Sequence, residues 1–397
     1  MLNTGAKFAE GVDMRVAVIG VGLTKFGEVW GKSLRDIALE AGVKAIGDAN
    51  ISAADIDAMF IGNMSAGRFS GQEHIGALVA DQVGVNIPST RVEGACASGS
   101  IALREGVSSI MSGLSDVVLV GGAEKMTDIS TEYATTGLMG AADEEWEGFH
   151  GMTFPGLYAL MARKHMHDFG TTHEQLASAA VKNHHNATMN KDVAQYPFEI
   201  TVDKVLNSTM IADPLTLLDC SPITDGAAAI ILCREDLAKK YCDTPVYVTG
   251  SGQASDTLAL HDRKSLMGLQ AAVDASRAAY KMAGIGAKDV DVCEVHDCFT
   301  IAEVMAVEDL GFCKKGVGGK FIEDGNTQIG GKIPVNTSGG LKACGHPVGA
   351  TGIKQASEIV MQLRGDAGKR QVNGAEIGMT HNVGGSGATC VVNIFRR

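Results

Sequence analysis

Aromatic side chains are scarce in this chain, at 5% of 397 residues, and proline is rarer still at 8 residues against 50 glycines. A core built this way closes on small side chains and close backbone contacts, with many turns that need positive φ. No Lys/Arg-rich run or basic stripe interrupts a formal net charge of −12, which argues against nucleic-acid binding. The acidic total still admits an anionic small ligand such as a nucleotide thioester, because a few local cations and helix N-termini bind phosphate against a negative global field. The nine cysteines are odd in number and include no CxxC pair. They are read as reduced thiols of a cytoplasmic protein, and no metal is assigned to them. No apolar run approaches the roughly 20 residues of a membrane helix, and Met1 to Asp13 lacks the apolar segment of a signal peptide, so no membrane association is expected. With an apolar strand-like run starting at Met14, residues 1–13 are read as an N-terminal extension, disordered or preceding the true start.

What is present is a repeat. The segments Asp55-Ile56-Asp57-Ala58-Met59-Phe60-Ile61 and Asp289-Val290-Asp291-Val292-Cys293-Glu294-Val295 share one pattern at a separation of 234 residues, which Ile51 and Ile285 keep. In each half a glycine-bearing β run (Val16 to Gly22, Val246 to Gly252) leads into an amphipathic helix (about Ser33 to Asp48, about Gly268 to Ala283) and a second β run. A later helix follows in each, about Cys96 to Ser112 and about Gly349 to Leu363, and then an apolar strand ending in glycines. Alternating strands and helices imply layered α/β architecture. The expected organisation is an N-terminal half over 14–126 and 214–245, an inserted substrate-covering region over 127–213, and a C-terminal half over 246–397. In the insertion Met, His, Trp and Tyr cluster, as in loops that carry binding elements.

Chemistry-bearing residues sit at element ends. Cys96, within Glu93-Gly94-Ala95-Cys96-Ala97-Ser98-Gly99, opens a helical run, where the positive end of the helix dipole lowers a thiol pKa and favours the nucleophilic thiolate. A free cysteine is equally often a small buried hydrophobe. His346, in Gly345-His346-Pro347-Val348-Gly349, opens the corresponding helix of the second half. If the halves are related by a pseudo-twofold axis, it converges with Cys96 as base with nucleophile. His296-Asp297-Cys298-Phe299 presents an imidazole and a second thiol, a candidate acid/base, after the repeated strand. The spacing of His296, Cys298 and Cys313 matches no zinc pattern. The turn His381-Asn382-Val383-Gly384-Gly385-Ser386-Gly387 can bind phosphate or stabilise an oxyanion through backbone N–H groups. His165, His167, His173, His184 and His185 are read as a solvated helical face.

Taken in order, the C-[AS]-S-G segment at Cys96, the return strand Ser221-Pro222-Ile223-Thr224-Asp225-Gly226-Ala227-Ala228-Ala229, the stretch Asn336 to Pro347 and the C-terminal glycine turn resemble the thiolase superfamily from Met14 onward. Where commoner thiolases carry Asn-Glu-Ala-Phe this chain has His296-Asp297-Cys298-Phe299, and where they carry Cys-x-Gly it has Asn382-Val383-Gly384. That combination is similar to the sterol-carrier-protein type and to archaeal acetoacetyl-CoA thiolases. The resemblance implies a five-layered α-β-α-β-α core with an inserted loop domain. It also implies Claisen condensation of two acetyl-CoA to acetoacetyl-CoA and CoA, or the reverse thiolysis, with coenzyme A as substrate and product. Cys96 would carry the acyl group and His346 take its proton, Cys298 would act as second acid/base, and His346 with His296 would hold the enolate oxygen. The backbone N–H groups of Cys96 and Gly384 would hold the tetrahedral oxyanion, and Ser251 and Gly252 are the candidates for CoA binding. Also implied are a homodimer or homotetramer, a place in lipid metabolism through the mevalonate pathway, and hydroxymethylglutaryl-CoA synthase and a zinc-ribbon/OB-fold acyl-CoA-binding protein as partners. Alternatives within the resemblance are a carbon acyltransferase on a non-CoA acceptor, a broader 3-ketoacyl-CoA thiolase, and a mainly structural subunit of an acyl-CoA-channelling complex.

Overall fold

The computed structural model describes residues 16–397, so the expected extension over residues 1–13 lies outside the described residues. The strands of the large sheet are β1 (Val16–Leu23), β2 (Ala58–Gly62), β3 (Ser89–Val92), β4 (Val117–Glu124), β5 (Gly226–Arg234), β6 (Val246–Ser255), β7 (Val292–Glu294), β8 (Ile377–Gly384) and β9 (Thr389–Arg396). The helices that matter for the site are α1 (Leu34–Asp48), α2 (Ser98–Met111), α3 (Phe154–Phe169), α4 (His173–Ala187), α5 (Gln270–Ala283), α6 (Thr300–Asp309) and α7 (Thr351–Arg364).

Hydrogen bonding links the strands in the order β3-β2-β4-β5-β1-β6-β9-β8-β7. Outward from the antiparallel seam where Val16–Val18 meets Val246–Val248, both sides have one topology: β1, β5, β4, β2 and β6, β9, β8, β7. The counterpart of β3, which pairs in parallel with β2, is reduced to a parallel bridge between Cys293 and Val335. The repeated aspartates do the same work in each half. Asp57 accepts from the N–H of Asp116 and Val117, and Asp291 from those of Glu376 and Ile377, all at 2.8–3.0 Å.

Side-chain alternation along each strand builds the layers. On β5, Ala227, Ala229, Ile231 and Cys233 face a cluster with Ile37, Ala41 and Ala45 of α1. Ala228, Ile230 and Leu232 face Leu103 of α2 and Ile353, Ala356 and Val360 of α7. Helix α5 covers the far side of the second half-sheet, completing the five layers. Helix α1 starts where Ser33 and Asp36 form a capping box, which satisfies two N–H groups that a helix start leaves open.

Glycines set the closest approaches. A Cβ on Gly22 would lie 2.2 Å from the Ala41 carbonyl oxygen, and one on Gly252 would lie 2.0 Å from that of Ala275. Gly252 is therefore the second-half equivalent of Gly22, a helix-packing position. Ser251 beside it is buried in the sheet, its hydroxyl donating to Asn393 Oδ1 at 2.8 Å. Both lie in the core instead of at a ligand site, which corrects their expected part in CoA binding. The central helices cross at another matched pair: a Cβ on Gly99 would lie 2.8 Å from the Gly349 carbonyl oxygen, and one on Gly352 would lie 2.3 Å from Ser100 Oγ.

Residues 127–213 contain α3, α4 and the short strand Met210–Ala212, and their apolar faces pack on the second half. The histidine tract is only partly a solvated face. His165 is fully buried between Thr171 and Glu308, and His184 is buried with Nδ1 3.1 Å from the Phe198 carbonyl oxygen. Period 3.6 places them on the inward side of their helices, and a local hydrogen-bond partner makes that tolerable. Among the described residues no helix is long and apolar enough to cross a membrane.

Candidate active site

Cys96 lies in a single 3₁₀ turn, Ala95–Ala97, immediately before α2. Ala95 has φ +53°, and the Gly94 N–H donates to Ser98 Oγ at 3.0 Å, so the chain turns sharply and offers the sulfur to a cavity of about 530 Å³. The thiol is 8% exposed. Burial pushes its pKa up to about 12, opposed by the N–H of Gly385 and its own N–H, with Glu124 and Glu93 adding to the rise. The expected lowering by the helix dipole is thus outweighed by desolvation, and Cys96 rests as a thiol.

His346 enters the cavity from the loop before α7. Its N–H donates to Thr224 Oγ1 at 3.0 Å, and its Nδ1 lies 2.7 Å from Thr351 Oγ1. The Thr351 hydroxyl already donates to the Pro347 carbonyl oxygen at 3.0 Å, so it accepts from Nδ1–H and leaves Nε2 with a free lone pair. Burial, then Lys354, lowers the His346 pKa to about 3. His296 follows β7 and its Nδ1 accepts from Asn382 Nδ2 at 3.0 Å, which puts its proton on Nε2. The rings of His296 and His346 stand edge to face, centroids 5.0 Å apart and planes at 86°. The Cys96 sulfur and one ring nitrogen of each histidine lie within 4.8 Å of one another. A neutral thiol, a neutral acceptor imidazole and a donor imidazole thus share one buried point, where nucleophile, base and oxyanion donor are all available. The same three atoms are a donor set of the kind soft divalent cations take.

Cys298 lines the same cavity at 6% exposure. Burial raises its pKa well above the usual thiol value, and the Tyr158 hydroxyl beside it pulls the other way. The expected oxyanion donor Gly384 packs against Gly94 and Ala95, next to Cys96. Strand β8 ends at Gly384, paired with Thr389, and Gly385 follows at φ +60°, its N–H opposing the rise in the Cys96 pKa. Of the expected residues, Cys96, His296, Cys298 and His346 meet in one cavity with Gly385; Gly384, Ser251 and Gly252 are not on its wall.

The motifs around these groups are largely staples. Asn336 Oδ1 accepts from Val295 N–H at 2.8 Å, Glu294 accepts from Ser338 N–H at 3.1 Å, and Asp297 accepts from the N–H groups of Leu341 and Lys342 at 2.6 and 3.1 Å. Together they tie the His296–Cys298 loop to the segment leading into His346. From the first half, Glu124 accepts from Met64, Ser65 and Gly349 N–H at 2.9–3.1 Å. Asp225 accepts from Met126 and Thr127 N–H and from Lys125 Nζ at 2.7–2.9 Å, holding Met126 on the cavity wall.

Tyr158 and Lys342 also line the cavity and were not identified from sequence. Lys342 is 2% exposed; burial lowers its pKa to about 8, while Cys220, Asp297 and Asp219 favour the charge. Its one local signal is a lysine among small residues just before Gly345-His346-Pro347. Tyr158 carries no such signal. It belongs to the insertion, which has no counterpart in the repeat, and only folding brings α3 over the second half.

The family described as "Thiolase, N-terminal domain" matches residues 16–236, and "Thiolase C-terminal domain-like" matches residues 252–397. The chain is 60% identical over 383 residues to an acetyl-CoA acetyltransferase of Methanothermobacter thermautotrophicus, covering 96% of this chain and 99% of the relative. It is 37% identical over 397 aligned residues to sterol carrier protein 2 of Bos taurus, covering 96% of this chain and 72% of that protein. Among solved structures, the Ltp2-ChsH2(DUF35) aldolase superposes with a TM-score of 0.83 at 25% identity, covering 96% of this chain and 97% of the other.

Proposed function

Since the chain belongs to the thiolase family, we propose that it is an acetyl-CoA acetyltransferase that condenses two acetyl-CoA to acetoacetyl-CoA and CoA and runs the reverse thiolysis. The near full-length identity to an acetyl-CoA acetyltransferase supports the activity. The observation that carries the mechanism is the cluster of Cys96, His296 and His346 within 4.8 Å, with Cys298 in the same cavity.

His346 Nε2 takes the Cys96 proton as the sulfur attacks the thioester carbonyl, and the N–H groups of Cys96 and Gly384 hold the oxyanion. An oxyanion donor of this kind contributes roughly 3–4 kcal/mol. CoA leaves with the proton of Cys298, so the acetyl-enzyme forms beside a Cys298 thiolate and a His346 imidazolium. That thiolate takes the α-proton of the second acetyl-CoA, while His296 Nε2–H and His346 Nε2–H hold the enolate oxygen. The carbanion attacks the acetyl group, Cys96 leaves as thiolate, and His346 returns its proton. Atoms and charges balance over the cycle, and Cys298 ends as the thiol it began as.

Coenzyme A is in this reading a substrate and product. We place the enzyme in the cytoplasm as a homo-oligomer, and the likeness to the Ltp2-ChsH2(DUF35) aldolase supports a partner protein such as an acyl-CoA-binding subunit. The test is direct: the purified chain is assayed for acetoacetyl-CoA synthesis and thiolysis, and variants are weighed after exposure to acetyl-CoA. Cys96→Ala should take up no acetyl group. Cys298→Ala should gain one, with His346 supplying the CoA proton, and fail to condense. Normal condensation by Cys298→Ala would move the second base elsewhere.

A further inference from the structure

Tyr158 is a fully buried tyrosine that the insertion sends to the cavity wall. It is 1% exposed and lines the cavity with Cys96 and Cys298. Its ring lies 4.7 Å, centroid to centroid, from that of Phe299, the residue after Cys298. Its hydroxyl donates to the Gly385 carbonyl oxygen at 3.2 Å. That is long for an O–H···O bond, whose usual range ends near 3.0 Å, so the hydrogen is loosely held. Cys298 lines the same cavity, and the hydroxyl is near enough to it to pull the thiol pKa down against burial. A buried phenol is an expensive group to keep, and packing alone would be served as well by phenylalanine.

We propose that Tyr158 is a positioning residue for the second acid/base, donating its hydroxyl hydrogen to Cys298 while that sulfur is a thiolate. In the resting enzyme the hydrogen points to the Gly385 carbonyl and the oxygen faces a neutral thiol. When departing CoA takes the Cys298 proton, the O–H turns from the carbonyl to the sulfur, exchanging a weak neutral bond for a charge-assisted one. When the thiolate takes the α-proton, the hydrogen returns. No proton leaves Tyr158 at any stage. The contact to Gly385 also couples the hydroxyl to the turn whose N–H serves Cys96, so one residue of the insertion touches the surroundings of both sulfurs.

This inference rests on the thiolase reading, and the experiment separates the two. The wild-type chain, Tyr158→Phe, Cys298→Ala and the double variant are compared for acetyl uptake by mass, for condensation across pH, and for exchange of acetyl-CoA methyl hydrogens with deuterated solvent. Wild-type condensation judges the reading; the variants judge the tyrosine. Tyr158→Phe keeps the ring that packs on Phe299 and should still take up one acetyl group. Its condensation and methyl exchange should fall at least about tenfold, with the alkaline-going limb of the pH profile shifted up by about one unit or more, as expected for losing a hydrogen bond to a charged group. In the Cys298→Ala background the same change should cost acetyl uptake nothing further. An unshifted pH profile, or a loss of acetyl uptake by Tyr158→Phe that persists in the Cys298→Ala background, would overturn the proposal.

Discussion

His346 and His296 stay uncharged across the range where a free imidazole titrates. Burial holds the first near a pKa of about 3 and the second well below 6.5, and the Cys96 thiol is pushed up to about 12. The resting pair is therefore thiol and imidazole, and the proton moves only as the carbonyl is attacked. A base with a lowered pKa is active above that pKa, so acid should not switch it off near 6.5. The rate of acetyl uptake by Cys96, followed by rapid-quench mass measurement, should show no inflection at 6.5 between about pH 5 and 8. An inflection there would mean that one of the two imidazoles is far more solvated than its place in the cavity implies.

Two helices and the loops that lead into them carry the site. Helices α2 and α7 follow Cys96 and His346, and they approach closely because Gly99 and Gly352 face each other's backbone. A methyl at 352 would meet Ser100 Oγ at 2.3 Å, Ser100 N at 2.4 Å and Asn382 Oδ1 at 2.5 Å. Helix propensity alone would favour alanine by about 1 kcal/mol, whereas overpacking costs about 1–3 kcal/mol. Gly352→Ala should therefore lose stability in chemical denaturation. It should also slow condensation, since Asn382 orients His296. A gain in stability would show that the crossing has slack. The loops before the two helices differ in length: Cys96 stands two residues before α2, and His346 stands five before α7, so the duplication supplies the cleft while different loops reach into it.

At the scale of the molecule the site is a seam between halves. Glu124 ends a strand of the first half, yet accepts from Gly349 N–H of the second at 3.1 Å as well as from Met64 and Ser65. Burial raises its pKa to about 7, and these N–H groups pull the other way. Glu124→Ala would leave the two buried N–H groups of Met64 and Gly349 without an acceptor, at about 1–3 kcal/mol each, besides the part-buried N–H of Ser65. The expected loss is at least about 2 kcal/mol in global stability together with slower acetyl uptake, because the segment carrying His346 is no longer held to the first half. If stability fell by less than about 1 kcal/mol, the seam would be held mainly by the apolar packing of α2 against α7.

The duplicated halves were legible before folding because each repeats one aspartate pattern and one glycine-bearing strand, and local sequence is enough to fix which residues start a strand or cap a helix. Cys96, His296, Cys298 and His346 were legible for a related reason: each stands at an element end in a motif whose small and polar neighbours are the staples just described. Ser251 and Gly252 misled because a glycine that admits a helix and a glycine that admits a ligand look alike in one dimension. The rest was decided only in three dimensions. Which residues of the C-terminal turn stand beside Cys96 depends on where pairing with Thr389 stops. The resting charge of Cys96 depends on burial, which a helix-start pattern does not report. The presence of Tyr158 and Lys342 on the cavity wall depends on how the insertion and the second half close over it, because desolvation and convergence are properties of groups distant in sequence and adjacent only in the folded chain.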